Sequence, residues 1–205
     1  MKSKQLQFAD LITRVRDCSL CSRMSRRKPV LSQSNGNLDS LVVFIAEAPG
    51  RLGADKFGIP LYGDQTGRNF EWLISNAGIS RGGIFITNAV LCNPRTADGN
   101  NDSPTIAEIR NCVKYLKETL DIIEPQYVVP LGAVAVRALN IIEPHDIGLT
   151  EGVGKLFGWN GYLVYPLLHP GPRAFIWRTK TQQAEDYKML ASLIMGDSRA
   201  NVETG

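Results

Sequence analysis

The sequence predicts an α/β protein of three layers, α/β/α, built on a central, mostly parallel four-stranded sheet. Three observations lead there. Short apolar runs rich in Val, Ile and Leu recur at 41–46, 83–90, 127–132 and 161–168. Segments with apolar residues at helical spacing lie between them, so strand and helix alternate along the chain. The runs are continuous rather than alternating, as expected of strands covered on both faces.

The first element is a helix over 5–17, QLQFADLITRVRD, in which Leu6, Ala9, Leu11, Ile12 and Val15 fall near one face. A cysteine pair ends it. LVVFIA at 41–46 is a central strand that meets a tight turn in AEAPG. After a Gly- and Pro-rich loop, GRNFEWLISNA at 67–77 sets Phe70, Leu73, Ile74 and Ala77 on one helical face, and Gly78 closes it. GIFITNAV at 83–90 is the second strand. The loop TADGNNDSP leads to a helix expected to begin with Ser103 as cap and Pro104 as first residue, and Cys112 lies on it. YVVPLG at 127–132 is the third strand and AVAVRALN at 133–140 the next helix. GYLVYPLL at 161–168 is the fourth strand and delivers His169. Functional residues in such sheets gather at the carboxyl ends of the strands, where Glu47, Asn88 and His169 all stand.

A chain of 205 residues, 43% hydrophobic, suits one domain, expected over 1–196, with 197–205 a flexible tail lacking apolar periodicity. With no apolar run of about 18 residues and no hydrophobic signal core, a soluble cytoplasmic, nucleoid-associated protein with no membrane association is expected, and it is expected to be a monomer. The net charge of +3 permits a nucleic-acid partner without requiring one. Its distribution says more. Arg14, Arg16, Arg23, Arg26, Arg27 and Lys28 crowd the first thirty residues, and Arg173, Arg178 and Lys180 a later loop; the two groups would reach phosphates if they shared a face.

Cys18, Cys21, Cys92 and Cys112, in a chain without an export signal, point to metal or cluster ligation rather than disulfides. Two thiolates at C-x2-C spacing can face one centre from a single turn, and a second pair from elsewhere completes a four-thiolate shell. The pairs are too widely separated for a zinc ribbon. Buried free cysteines beside a chance C-x2-C are the other reading.

AEAPG (46–50), GIPLYGDQTG (58–67), ITNAVLCNP (86–94) and LLHPGPRA (167–174), taken in that order with the C-x2-C pair and Cys112, resemble the iron–sulfur class, family 4, of the uracil-DNA glycosylase superfamily. The likeness implies a monofunctional DNA-repair hydrolase that flips uracil out of DNA and cleaves its N-glycosidic bond, leaving an abasic site. It also implies a [4Fe-4S] cluster on Cys18, Cys21, Cys92 and Cys112, and uracil-containing DNA as the partner.

Residue by residue, Asn88 matches the family's base-reading asparagine, whose amide suits uracil O4 and N3–H. His169 matches the HP motif, whose imidazole stabilises charge on uracil O2. Ala46, Glu47, Ala48, Pro49 and Gly50 form the turn around the base, with Glu47 at a water-handling position; Ala46 stands where the family usually has Gly. The family's GxPFVG supplies a stacking phenylalanine, whereas Leu61 fills that place here and Tyr62 follows it. Asp64, in GDQTG, resembles a family 5 feature and competes with Glu47 for the water. Arg173 matches the wedge that enters the gap left in the DNA, carried with Pro170 and Gly171; Phe175 and Trp177 either belong to the same wedge loop or pack it down, and packing is the expected use. His145, in EPHD, is read as structural or solvent-exposed. Two alternatives stay open: a glycosylase for another deaminated base such as hypoxanthine or xanthine, and a non-catalytic iron–sulfur DNA-binding module, to which Leu61 lends weight.

Overall fold

The computed structural model describes residues 2–200. In chain order come α1 (Lys4–Arg16), β1 (Val42–Ala46), α2 (Ala54–Phe57), α3 (Gln65–Asn76), β2 (Phe85–Asn88), α4 (Ile106–Ile123), β3 (Tyr127–Pro130), α5 (Ala133–Ile142), α6 (Leu149–Gly152), β4 (Phe157–Trp159), β5 (Tyr162–Val164), α7 (Ala174–Trp177) and α8 (Lys180–Ala200). The strands form one sheet in the order β2-β1-β3-β5-β4. The first four run parallel, and β4 pairs antiparallel with β5.

The four expected strands are present, and β4 adds a fifth at the edge. Asn160 and Gly161, with φ of 47° and 82°, form the two-residue turn of this hairpin. Asn-Gly is the pair such turns favour, because both positions need the left-handed region. The strand itself, FGW, is too short to announce itself by apolar pattern.

Side chains leave β1 on alternate faces, as the strand repeat demands. Val43 and Ile45 join a core with Phe8, Leu11 and Val15 of α1, Ile109 and Leu116 of α4, and Leu139 of α5. Phe44 joins the opposite core, with Phe70 and Leu73 of α3 and Tyr187 and Leu190 of α8. There its ring meets Phe70 edge-on at 5.3 Å and lies nearly parallel to Tyr187 at 6.2 Å. The three layers follow directly.

Two helix ends differ from expectation. Helix α4 is capped by Thr105, not Ser103: the Thr105 hydroxyl accepts from the Glu108 N–H while the Glu108 carboxylate accepts from the Thr105 N–H. This reciprocal box satisfies two otherwise free backbone donors, so it wins over serine followed by proline. Helix α8 continues to Ala200, into the segment expected to be a tail, and residues 201–205 lie outside the described residues. No helix among the described residues is long and apolar enough to cross a membrane.

Candidate active site and cysteine recess

A cleft of about 470 Å³ opens at the carboxyl ends of β1 and β2. Its size suits a small ligand, whose pockets run from about 300 to 1,000 Å³. The turn after β1 contributes Glu47, Ala48, Pro49 and Gly50; the loop before α3 contributes Leu61, Tyr62 and Asp64; Asn88 ends β2; His169 and Arg173 follow β5. Sequence-predicted residues from four separate segments therefore meet. Ala46, Pro170 and Gly171 lie outside the lining.

Asn88 is 2% exposed and its Nδ2 has no hydrogen-bond partner. Leaving a buried donor unpaired costs about 1–3 kcal/mol, so native structures rarely keep one without a use. The residue that carries this free donor is part of the cleft's lining.

His169 is half-buried, and burial pushes its pKa below the ordinary value, with the charge of Asp64 acting the other way. The ring is therefore neutral at neutral pH. Its Nδ1 accepts the Gly171 N–H at 3.2 Å, which places the ring proton on Nε2 as a donor. A Cβ at Gly171 would lie 2.9 Å from Nδ1, so only glycine brings the backbone so near. From α3, Asn69 Nδ2 donates to the Pro170 carbonyl at 2.8 Å, and Gln65 Nε2 donates to Asn69 Oδ1 at 2.9 Å. The loop carrying the imidazole is thus tied to a helix.

Glu47 is also half-buried, which raises its pKa, and a hydrogen bond with Ser103 opposes that rise. Asp64 is differently placed. Its Oδ1 accepts the Gly67 N–H at 2.8 Å as the cap of α3. Its Oδ2 fills the space beside Gly50 and Gly53, where a Cβ would lie 2.8 and 2.5 Å away. The turn bearing Glu47 is pinned from outside: Asn93 Nδ2 donates to the Pro49 carbonyl, and the Arg51 N–H donates to Asn101 Oδ1 at 2.9 Å. Arg95 completes the brace, reaching from Asn93 Oδ1 to the Asp55 carboxylate.

Leu61 has a φ of 48°, in the left-handed region that costs a non-glycine residue on the order of 1 kcal/mol. Arg81 holds this loop by donating to the Pro60 carbonyl at 2.5 Å while pairing with Glu71. The Leu61 side chain is buried against the core, whereas Tyr62 is 45% exposed and edge-on to Phe57.

Asn93, Asn101, Asp102 and Thr66 line the cleft without having been singled out in the sequence, and Ser103, expected only as a helix cap, joins them. Asn93 sits inside the motif ITNAVLCNP and was legible there; the 101–103 residues resemble any polar loop. The basic residues divide. Arg14 pairs with Glu118, Arg23 with Glu108 and Asp102, and Arg178 with Asp186, so these three serve the fold. Lys180 lies over the ring of Trp72 at 3.9 Å. His145 is structural as expected, its Nδ1 accepting the Ile147 N–H at 3.1 Å. Trp177 does not pack the loop down: it is 86% exposed.

On the α1/α4 side, Cys18, Cys21, Cys92 and Cys112 line a single recess with Met24, Val90 and Asn111. Among the described residues no three His, Cys, Asp or Glu side chains converge tightly enough for one metal ion. The four sulfurs nevertheless line one common recess, the arrangement that a four-thiolate shell drawn from separate segments requires. Hydrogen bonds to sulfur strengthen the fit. The Leu91 N–H donates to Cys112 Sγ at 3.3 Å, Asn111 Nδ2 to Cys21 Sγ at 3.6 Å, and Tyr115 is bonded to Cys18. Burial and the neighbouring cysteines push the Cys92 and Cys112 thiols up to about 12, so cationic metal is what such a site needs to hold thiolates.

The α/β sheet, the cleft at its strand ends and the cysteine recess define a class, and comparison with known proteins agrees: residues 33–191 match the model of the uracil DNA glycosylase superfamily, and the chain belongs to that superfamily. Its relatives narrow the kinship. It is 33% identical to the Type-4 uracil-DNA glycosylase of Thermotoga maritima over 77% of this chain and 78% of that protein. It is 32% identical to the Type-4 enzyme of Saccharolobus solfataricus, over 87% and 83%. A Type-5 uracil-DNA glycosylase of Pyrobaculum aerophilum is 28% identical over 80% and 83%.

Proposed function

We propose that the chain excises uracil from DNA in base excision repair, as a monofunctional hydrolase that leaves an abasic strand. One observation carries this reading: an unpartnered, buried amide and a neutral imidazole with its proton on Nε2 line the same cleft. Asn88 Nδ2 donates to uracil O4 and its Oδ1 accepts N3–H. Cytosine presents the opposite pattern and would leave buried groups unpaired, at about 1–3 kcal/mol each. As the glycosidic bond breaks, its electron pair goes to the base; the Nε2–H of His169 steadies the charge gathering on O2. Leu61 supports the face of the base, and Arg173 fills the gap in the DNA.

Glu47, ionised, orients the water that attacks the sugar carbon and takes its proton. It is better suited than Asp64, one of whose oxygens is engaged as the cap of α3. Cys18, Cys21, Cys92 and Cys112 would hold a [4Fe-4S] cluster, which when bound supplies a structural tie rather than electrons, since hydrolysis moves none. The protein acts as a cytoplasmic monomer on uracil-containing DNA.

Release of free uracil from an oligonucleotide under single-turnover conditions tests the reading. His169→Ala and Asn88→Ala each slow release on the order of a hundredfold. Because the Glu47 pKa is raised and its ionised form is the active one, the rate climbs with pH through a limb above the ordinary glutamate value of 4.5. Glu47→Gln flattens that limb. Wild-type protein that releases hypoxanthine or xanthine but no uracil replaces this substrate with another.

A further inference from the structure

Position 69 lies on the buried side of α3, among Gly67, Phe70 and Leu73, where an apolar side chain would serve the core. The chain carries Asn69 instead, and it is 6% exposed. A buried amide costs stability unless it is hydrogen-bonded, and asparagine is a poorer helix former than leucine. Its partners account for it. Asn69 Oδ1 accepts from Gln65 Nε2 at 2.9 Å, one helical turn earlier, and Gln65 Oε1 accepts from the Arg68 guanidinium at 2.9 Å. With the amide so held, its Nδ2 donates to the Pro170 carbonyl at 2.8 Å.

That carbonyl belongs to the same planar peptide as the Gly171 N–H, which His169 Nδ1 accepts at 3.2 Å. Arg68, Gln65, Asn69, the 170–171 peptide and the imidazole therefore form one series of hydrogen bonds, every donor pointing towards His169. Bonds in such a series polarise one another, so a donor on the carbonyl strengthens the N–H of the same peptide as a donor. The ring is closely walled as well. A Cβ at Gly171 would lie 2.9 Å from Nδ1, and one at Gly132 would lie 3.2 Å from the His169 Cβ. Asn69 itself is absent from the cleft's lining, so it reaches the chemistry only through this peptide.

We infer that Asn69, steadied by Gln65, is a positioning residue for His169: it orients the Pro170–Gly171 peptide so that the imidazole keeps its proton on Nε2. This rests on the glycosylase reading above, in which that proton meets uracil O2. An amide that only fastened α3 to the loop would lend stability and nothing more. The peptide gripped here is the one that sets the tautomer of the ring.

The full chain carrying Asn69→Leu, which keeps the branched shape and removes the donor, is compared with wild type in two measurements. Nitrogen NMR of the histidine rings at neutral pH reads the tautomer directly, because the chain has two histidines and His169→Ala identifies the signals of its own ring. His145, whose Nδ1 accepts the Ile147 N–H at 3.1 Å, is an internal reference. Single-turnover uracil release over a range of protein concentrations separates binding from cleavage. In Asn69→Leu the His169 ring is expected to pass from one tautomer to a mixture while His145 stays where it was. The maximal rate falls about tenfold and the half-saturating concentration stays within about twofold. Gln65→Ala, at an exposed position, moves the same signals part of the way, and it decides the matter if Asn69→Leu does not fold. Unchanged His169 signals in the folded variants overturn the proposal, whatever the rate does, and so does a loss that lies wholly in half-saturation. Wild-type protein that releases no uracil sinks the glycosylase reading, while the ring signals still decide whether Asn69 holds the imidazole.

Discussion

Asn35 and Asn88 are equally buried, at 2% exposure, yet they differ in what they hold. Asn35 accepts the Ser32 N–H at 2.8 Å and donates to the Ile86 carbonyl at 2.7 Å. Asn88 keeps a free donor, Nδ2. Removing the first amide strands a backbone donor and a backbone acceptor, whereas removing the second takes away a group that was unpaired already. Asn35→Ala should therefore lower unfolding free energy by about 2 kcal/mol. Asn88→Ala should leave it unchanged or raised while uracil release falls. Urea unfolding beside the excision assay separates the two, and a loss of stability in Asn88→Ala equal to that of Asn35→Ala would show that Asn88 belongs to the fold. Nothing in composition distinguishes these asparagines. Asn88 was legible because it ends an apolar strand run inside a motif, and strand ends are where α/β sheets expose their side chains to ligands.

Arg23 shows where reading by element stops. In the sequence it belongs to a basic stretch that suggests phosphate contacts. In the fold its guanidinium donates to Glu108 at 2.6 and 2.8 Å, to Asp102 at 2.6 Å and to the Ser103 carbonyl at 3.0 Å, across gaps of 79 to 85 residues. No local pattern reveals partners so distant. Local signals fared better: the Thr105–Glu108 box and the Asn160–Gly161 turn were both written in the sequence, as T-x-x-E and NG, and reading them would have corrected the start of α4 and supplied β4. Arg23 also connects two sites, since it stands two residues beyond Cys21 and grips the segment whose Ser103 bonds Glu47. The Arg23 bond holds the Glu108 pKa below its ordinary value. A depressed carboxylate lends stability that is complete above its unfolded pKa and vanishes as pH falls through the folded one. Arg23→Met should then cost about 2 kcal/mol at pH 7, trimmed by the partial exposure of the guanidinium, and much less near pH 3. Urea curves at both pH values measure this; an equal gap at both would assign the loss to packing of the arginine stem instead of its charge.

At the scale of the whole molecule, the sheet separates two cores of different dependence. The four cysteines pack only against the core that holds α1, α4 and α5. The core under α3 and α8 contains none of them and is filled by Phe44, Phe70 and Tyr187. Apolar periodicity makes both layers predictable in principle, although α8, whose Ala184, Tyr187 and Leu190 face the sheet, is not among the expected elements. What no periodicity conveys is that 18–21, 92 and 112 form one recess, because that depends on how the helix-to-strand connections stack. If a bound cluster ties these segments, chelating the iron should loosen one layer and spare the other. Hydrogen exchange should speed up around 18–30, 90–93 and the first turns of α4, and the visible absorbance should vanish, while amides of α3 and α8 keep their protection. The cleft draws walls from both sides, Asn88 and Glu47 beside the cysteine-bearing segments and His169 tied to α3, so release of iron should weaken uracil excision before the sheet unfolds. Uniform loss of protection over both layers would mean that the two cores melt as one and that the recess has no separate hold on the α1/α4 layer.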